Sequence, residues 1–133
     1  MIIRQDQKTD VAEALFSHKL HRSFLRGLPG FMEWDEDDRL AFVAEGIAQA
    51  RARNLKTEIG IASYAMAAWW MNFGFDAQSA HLSRVLRSSL PEIRRVHMMN
   101  EWVSARLGAP NDAEAADRAL GATFWQMAPW GKR

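Results

Sequence analysis

Residues 57–76 read TEIGIASYAMAAWWMNFGFD, and this stretch decides the fold. After Thr57 the only polar residues before Phe73 are Glu58, Ser63, Tyr64 and Asn72. A helix that is apolar nearly all round has to be buried on several sides. The run therefore predicts a central helix over 57–74, capped by Thr57 and stopped at Gly74, with other helices packed around it. None of its residues forms a catalytic constellation.

Helical spacing continues on both sides of that spoke. A first helix is expected from Thr9 or Asp10 to about Arg26, burying Val11, Leu15, Phe16, Leu20, Phe24, Leu25 and Leu28 at steps of three and four. Gly27, Pro29 and Gly30 end it, and Phe31-Met32-Glu33-Trp34 follows as a short aromatic loop. A second helix opens at Asp35 with carboxylates at 35–38, where the helix dipole favours negative charge. Leu40, Val43, Ile47 and Ala50 form its expected buried stripe. Arg51 and Arg53 sit in its last turn, and Asn54 is suited to a left-handed terminator.

Beyond the spoke, a fourth helix is expected from about Ala77 to Ser88, burying Leu82, Val85 and Leu86. Ser89-Leu90-Pro91-Glu92 reads as a capping box opening a fifth helix through Ile93, Val96, Val103 and Leu107. A sixth runs from Asn111 or Asp112 to about Met127, and a short aromatic tail occupies 128–133. No strand, repeat or long linker is visible. The expectation is an all-α, single-domain bundle of five or six helices.

Bulk composition agrees with that class. At 133 residues the chain has room for one modest core, and 48% hydrophobic with 25% charged residues is ordinary for a globular domain. Six tryptophans against one tyrosine is not ordinary. Net charge is +1, with six Lys/Arg against nine Asp/Glu in residues 1–50 and eleven against seven in 51–133. That mild dipole lacks the concentrated basic stripe of a nucleic-acid surface, so no nucleic acid is expected. The absence of cysteine excludes disulfides and thiol chemistry. The apolar run over 59–75 is short of the roughly 20 residues a spanning helix needs. With acidic residues in the opening MIIRQDQKTD and no signal peptide pattern, a cytoplasmic location without a membrane partner is expected.

Candidate chemistry is sparse. His18 and His21 share a helix face but lack a third metal ligand, and read as a solvated face. The run Glu33 to Asp38 fails the calcium-loop pattern, because its sixth position is never glycine. It serves the helix start and offers Asp35, Glu36, Asp37 and Asp38 to orient a basic partner. Arg84, Arg87, Arg94 and Arg95 could meet phosphates or an acidic protein, yet only Asn100 in the following helix suits base reading. His97, Ser88, Ser89 and Ser104 form no recognisable triad, and no phosphate-cradling or nucleophile-elbow motif exists. No enzyme activity, metal or cofactor is expected.

Candidate recognition residues are aromatic. Phe124, Trp125, Met127 and Trp130 crowd the end of the sequence, where they dock on the chain's own bundle or anchor a partner. Trp69 and Trp70 are adjacent, about 100° apart on a helix, so they cannot face the same way.

The pattern Gly46-Ile47-xx-Ala50-Arg51, then Asn54-Leu55-Lys56-Thr57-Glu58, then Phe73-Gly74 and Phe75-Asp76, resembles a family of small helical proteins associated with bacterial type VI secretion. The opening Met1-Ile2-Ile3-Arg4-Gln5, the Phe16, His18, Leu20, Phe24-Leu25 helix and the Leu28-Pro29 stop are also similar. The resemblance covers roughly residues 1–90. Asn54 stands where the family usually has a turn glycine, the Gly74-Phe75-Asp76 spacing is shortened, and the Trp69-Trp70 pair departs from the pattern. The resemblance implies a co-chaperone that binds an effector's chaperone, the effector or both, and helps load the effector; it carries over no catalytic residue. An immunity-type inhibitor of a secreted toxin is the alternative, and a small DNA-binding regulator a more remote one.

Overall fold

The computed structural model describes residues 5–107, with side chains from residue 11 onward. Five α-helices carry the described chain: α1 (Gln5–Gly27), α2 (Glu36–Ala52), α3 (Glu58–Met71), α4 (Ala80–Arg87) and α5 (Glu92–Arg106). Two short 3-10 turns, Phe31–Glu33 and Phe75–Gln78, join α1 to α2 and α3 to α4. No strand occurs among the described residues, so the fold is an all-α bundle. The expected sixth helix and the tail at 128–133, with Phe124, Trp125, Met127 and Trp130, lie outside the described residues.

α3 is the spoke. Every residue from Gly60 to Ala68 is buried, on all faces of the helix. α2 and α5 pack directly against it, while α1 lies on α2 and α4 on α5. The approach of α2 is close because Gly46 faces Ala65: a Cβ at position 46 would stand 2.9 Å from the Ala65 Cβ. The core is one cluster that includes Phe16, Leu20, Phe24, Phe31, Phe42, Ile61, Tyr64, Met66, Phe75, Leu86 and Met99.

The helix ends follow from local chemistry. Asn54 adopts φ 62°. Its N–H donates to Arg51 O at 3.0 Å and that of Leu55 to Ala50 O at 3.1 Å, the paired bonds of a Schellman turn with Leu55 buried behind it. Thr57 caps α3 by accepting from Gly60 N at 2.9 Å.

Several expectations need correction. α3 ends at Met71, before Gly74, because Asn72 leaves the helix at φ 72°, ψ 156°. Residues 75–78 form the 3-10 turn, so α4 begins only at Ala80, where Ser79 accepts from Leu82 N at 3.1 Å. The capping box at Ser89 does not form; Pro91 holds the cap position and Glu92 turns elsewhere. Val11 and Leu15 on α1, Leu40 on α2 and Ile93 on α5 are exposed, Ile93 by 75%. Leu40 and Ile93 lie toward the start of their helices, ahead of the turns their neighbours cover, while Val11 and Leu15 lie off the face that buries Phe16, Leu20, Phe24 and Leu28. The buried stripe of α2 is Phe42, Val43, Gly46, Ile47 and Ala50.

Candidate protein-binding groove

The loop between α1 and α2 builds one wall of a surface groove. Gly30, at φ 82°, lets the chain turn into the 3-10 segment, and Trp34 N–H donates back to Phe31 O at 3.2 Å. The Trp34 carbonyl accepts from the Arg39 guanidinium. The Trp34 indole then leans on Trp69, with ring centres 4.8 Å apart. Trp69 is itself fixed, since its Nε1–H donates to Pro29 O at 3.1 Å.

Phe42 of α2 is the hub of the floor. Its ring lies 5.4 Å from Trp69, 5.2 Å from Phe73 and 6.2 Å from Trp34. Edge-to-face and tilted pairs of this kind stabilise beyond the area they bury, so the floor is preformed. Above it the groove spans about 720 Å³, lined by Glu33, Trp34, Asp35, Asp38, Ala41, Phe42, Glu45 and Phe73. Four of those residues are carboxylates and none is Lys or Arg. Arg39 is the nearest cation in sequence, but its guanidinium is turned to the Trp34 carbonyl and to His21 Nε2, 3.1 Å from Arg39 Nε.

His21 is therefore not on a solvated face. It is buried, edge-on to Phe31 at 5.9 Å, and accepts from Arg39 through Nε2. Burial, and then the Arg39 charge, push its pKa below the ordinary 6.5, with Glu36 pulling the other way. No group of three or more His, Asp or Glu suited to a metal ion occurs among the described residues.

The other candidate residues divide between surface and scaffold. Asp35 and Asp38 line the groove; Glu36 and Asp37 are exposed in the same first turn without lining it. Trp69 backs the wall from a half-buried position, while Trp70 points outward, 46% exposed. Arg84, Arg87 and Arg94 are exposed. Arg95 corrects the expectation of an orienting surface charge: it is buried, donating to the carbonyls of Leu90 at 2.9 Å, Leu86 at 3.2 Å and Asn54 at 3.3 Å. Carbonyls satisfy a buried guanidinium through its several fixed N–H groups, so Arg95 ties the end of α4 to the turn before α3.

Two further clusters hold the ends of α3. At its start, Glu92 accepts from Lys56 N at 2.8 Å, Thr57 N at 3.0 Å and the Thr57 hydroxyl. Burial resists ionisation of Glu92, but these donors and the Arg95 charge outweigh it and hold the carboxyl below its ordinary pKa. Beyond its end, the Tyr64 hydroxyl accepts from Gly74 N at 3.1 Å, and the Arg53 guanidinium lies 4.8 Å over the Tyr64 ring. Burial pushes the Tyr64 pKa up against both of these influences. Arg53 Nε also meets buried Asp76 Oδ1 at 2.9 Å. That pair lies outside hydrogen-bond alignment, so its attraction is coulombic.

Trp34, Ala41, Phe42, Glu45 and Phe73 were not among the sequence candidates. The signal was there: Asp38, Ala41, Phe42 and Glu45 recur at steps of three and four, one face of a helix that follows an acid-flanked tryptophan. No helix among the described residues is long and apolar enough to cross a membrane. No protein-family model, curated protein or solved structure matches the chain.

Proposed function

We propose that this protein is a non-catalytic, protein-binding accessory that works by stoichiometric capture of a partner segment in the groove between the 31–34 turn and α2. The observation that carries the reading is the exposed Trp34 ring and the half-buried Phe73, held in fixed geometry over the buried Phe42 ring beneath an acidic rim. Aromatic anchors in fixed geometry at a surface are the usual centre of a binding interface. Together with the family-like segment at 46–76, this supports a cytoplasmic co-chaperone that engages an effector's chaperone, or the effector, during loading for type VI secretion.

Co-expression with an effector and chaperone encoded beside the gene tests the role. Wild-type protein is expected to co-purify with one of them, and Ala41→Glu, which fills the groove from an exposed helical position, is expected to lose it. Absence of co-purification at every salt concentration ends the reading. An immunity-type inhibitor could use the same acidic rim, and rescue of growth in toxin-expressing cells separates it. A DNA-binding regulator has less to rest on, because Arg95 is buried among carbonyls.

A further inference from the structure

The rim of the groove specifies its occupant. Glu33, Asp35, Asp38 and Glu45 surround an apolar floor, and among the described residues no Lys or Arg lines the groove to neutralise them. Of the four, Glu45 accepts from the neutral Gln49 amide at 2.6 Å, which leaves its charge uncompensated by any cation there. The floor is narrow in chemistry too: Ala41, Phe42, Phe73 and the Trp34 face offer no donor to a polar side chain. Four exposed carboxylates around a shallow apolar floor give this face a negative potential. An acidic or neutral polar segment would be repelled by the rim or left unpaired on the floor.

Resting on the protein-binding reading above, we propose that the groove takes a basic amphipathic peptide segment: an aromatic or large aliphatic anchor seated between Trp34, Phe42 and Phe73, flanked by Lys or Arg that meet Asp35, Asp38, Glu33 and Glu45. The anchor supplies the desolvation and the flanking cations set orientation and association rate. Arg contributes more than Lys at such a rim, because its planar fork meets a carboxylate bidentately.

Three synthetic peptides of about twelve residues, some three helical turns, test this by fluorescence titration against the full chain. One carries Leu and a central Phe at steps of three and four with Lys at the other positions, one replaces the Leu and Phe by Ser, and one replaces the Lys by Glu. The first is expected to bind at least about tenfold more tightly than either other, and to weaken between about 50 and 200 mM salt as the rim is screened. Glu33→Gln/Asp38→Asn/Glu45→Gln, with helicity and Tm checked against wild type, is expected to lose about tenfold in affinity and most of that salt dependence. Ala41→Glu, which blocks the groove while keeping it acidic, is expected to lose binding.

Equal binding of the Glu peptide, no binding of the basic one, or an unchanged affinity in the neutralised variant overturns the proposal. So does concentration-dependent self-association that Ala41→Glu abolishes, which would make a second copy the occupant. If Ala41→Glu disrupts partner co-purification but the neutralised variant does not, the groove binds a different chemistry and the protein-binding reading survives. If neither variant affects co-purification, that reading falls with the proposal.

Discussion

Glu92, the first residue of α5, holds Thr57, the cap of α3, through both the Thr57 backbone N–H at 3.0 Å and the Thr57 hydroxyl. One carboxylate thus replaces the intrahelical partners that the start of α3 lacks. Removing it by Glu92→Ala is expected to cost about 1–3 kcal/mol, and Glu92→Gln a similar amount, because both carboxylate oxygens accept from backbone N–H groups and the amide NH2 would face one of those donors. Gly60 provides the diagnostic partner: a Cβ there would come 2.0 Å from Glu92 Oε2. Gly60→Ala should destabilise the wild type and cost less in the Glu92→Ala background, where only its 3.0 Å approach to Thr57 Oγ1 remains. Urea midpoints of the four proteins measure this coupling, and an equal cost of Gly60→Ala in both backgrounds refutes it.

The spacing of α2 on α3 rests on Gly46. A methyl group there would stand 2.9 Å from Ala65 Cβ, and both atoms are fixed to backbone. Overpacking of this kind costs about 1–3 kcal/mol and exceeds the roughly 1 kcal/mol that alanine gains in a helix. Gly46→Ala is expected to lower Tm, and Ala65→Gly in the same chain to recover part of the loss.

Asn72 ends α3 at φ 72°, ψ 156°, a region that only glycine enters freely. The side chain is exposed, so substitution changes little besides the backbone. Asn72→Gly is expected to stabilise by about 1 kcal/mol, and Asn72→Val to destabilise by about 1–3 kcal/mol. Thermal melts in which Val matches Gly would show that this backbone geometry does not govern the helix end.

Acid should weaken the protein in two stages. His21 has a lowered pKa when folded, so its contribution is complete above the ordinary 6.5 and is lost as pH falls from there through its folded value. The carboxyl of Glu92 is also depressed, so its contribution is complete above the ordinary 4.5 and is lost at lower pH. Urea midpoints followed from pH 7.5 downward should show both declines, and His21→Gln, which can still accept from Arg39, should flatten the upper one. An upper stage that survives this substitution belongs to another group.

Much of the bundle could be read along the chain, because caps and all-round apolarity are local signals. Thr57 as cap, Asn54 as left-handed terminator and the burial of α3 needed only near neighbours in sequence. Arg95 could not be read that way: two of the three carbonyls that bury it are on Leu86 and Leu90, but the third is on Asn54, 41 positions away. His21 similarly depends on Arg39, 18 positions on, to make an internal imidazole acceptable. Leu40 and Ile93 have the right period and are still exposed, since periodicity gives a face but not how far along a helix its neighbours reach. The groove was half legible. Three of its four acids stand together in the sequence, whereas the floor joins Trp34, Phe42 and Phe73 from a turn, a helix and the turn after α3.

The ties that α5 makes to the turn before α3 also set an order of assembly. α2, the Asn54 turn and α3 are consecutive, and closing short loops costs little chain entropy. Glu92 and Arg95 reach back 35 and 41 positions, so their bonds reward folding only after that longer loop has closed. Bonds formed after the barrier act on the unfolding rate. Substitutions at the Glu92 clamp are therefore expected to speed unfolding more than they slow folding, and substitutions at the Gly46–Ala65 seam to slow folding more.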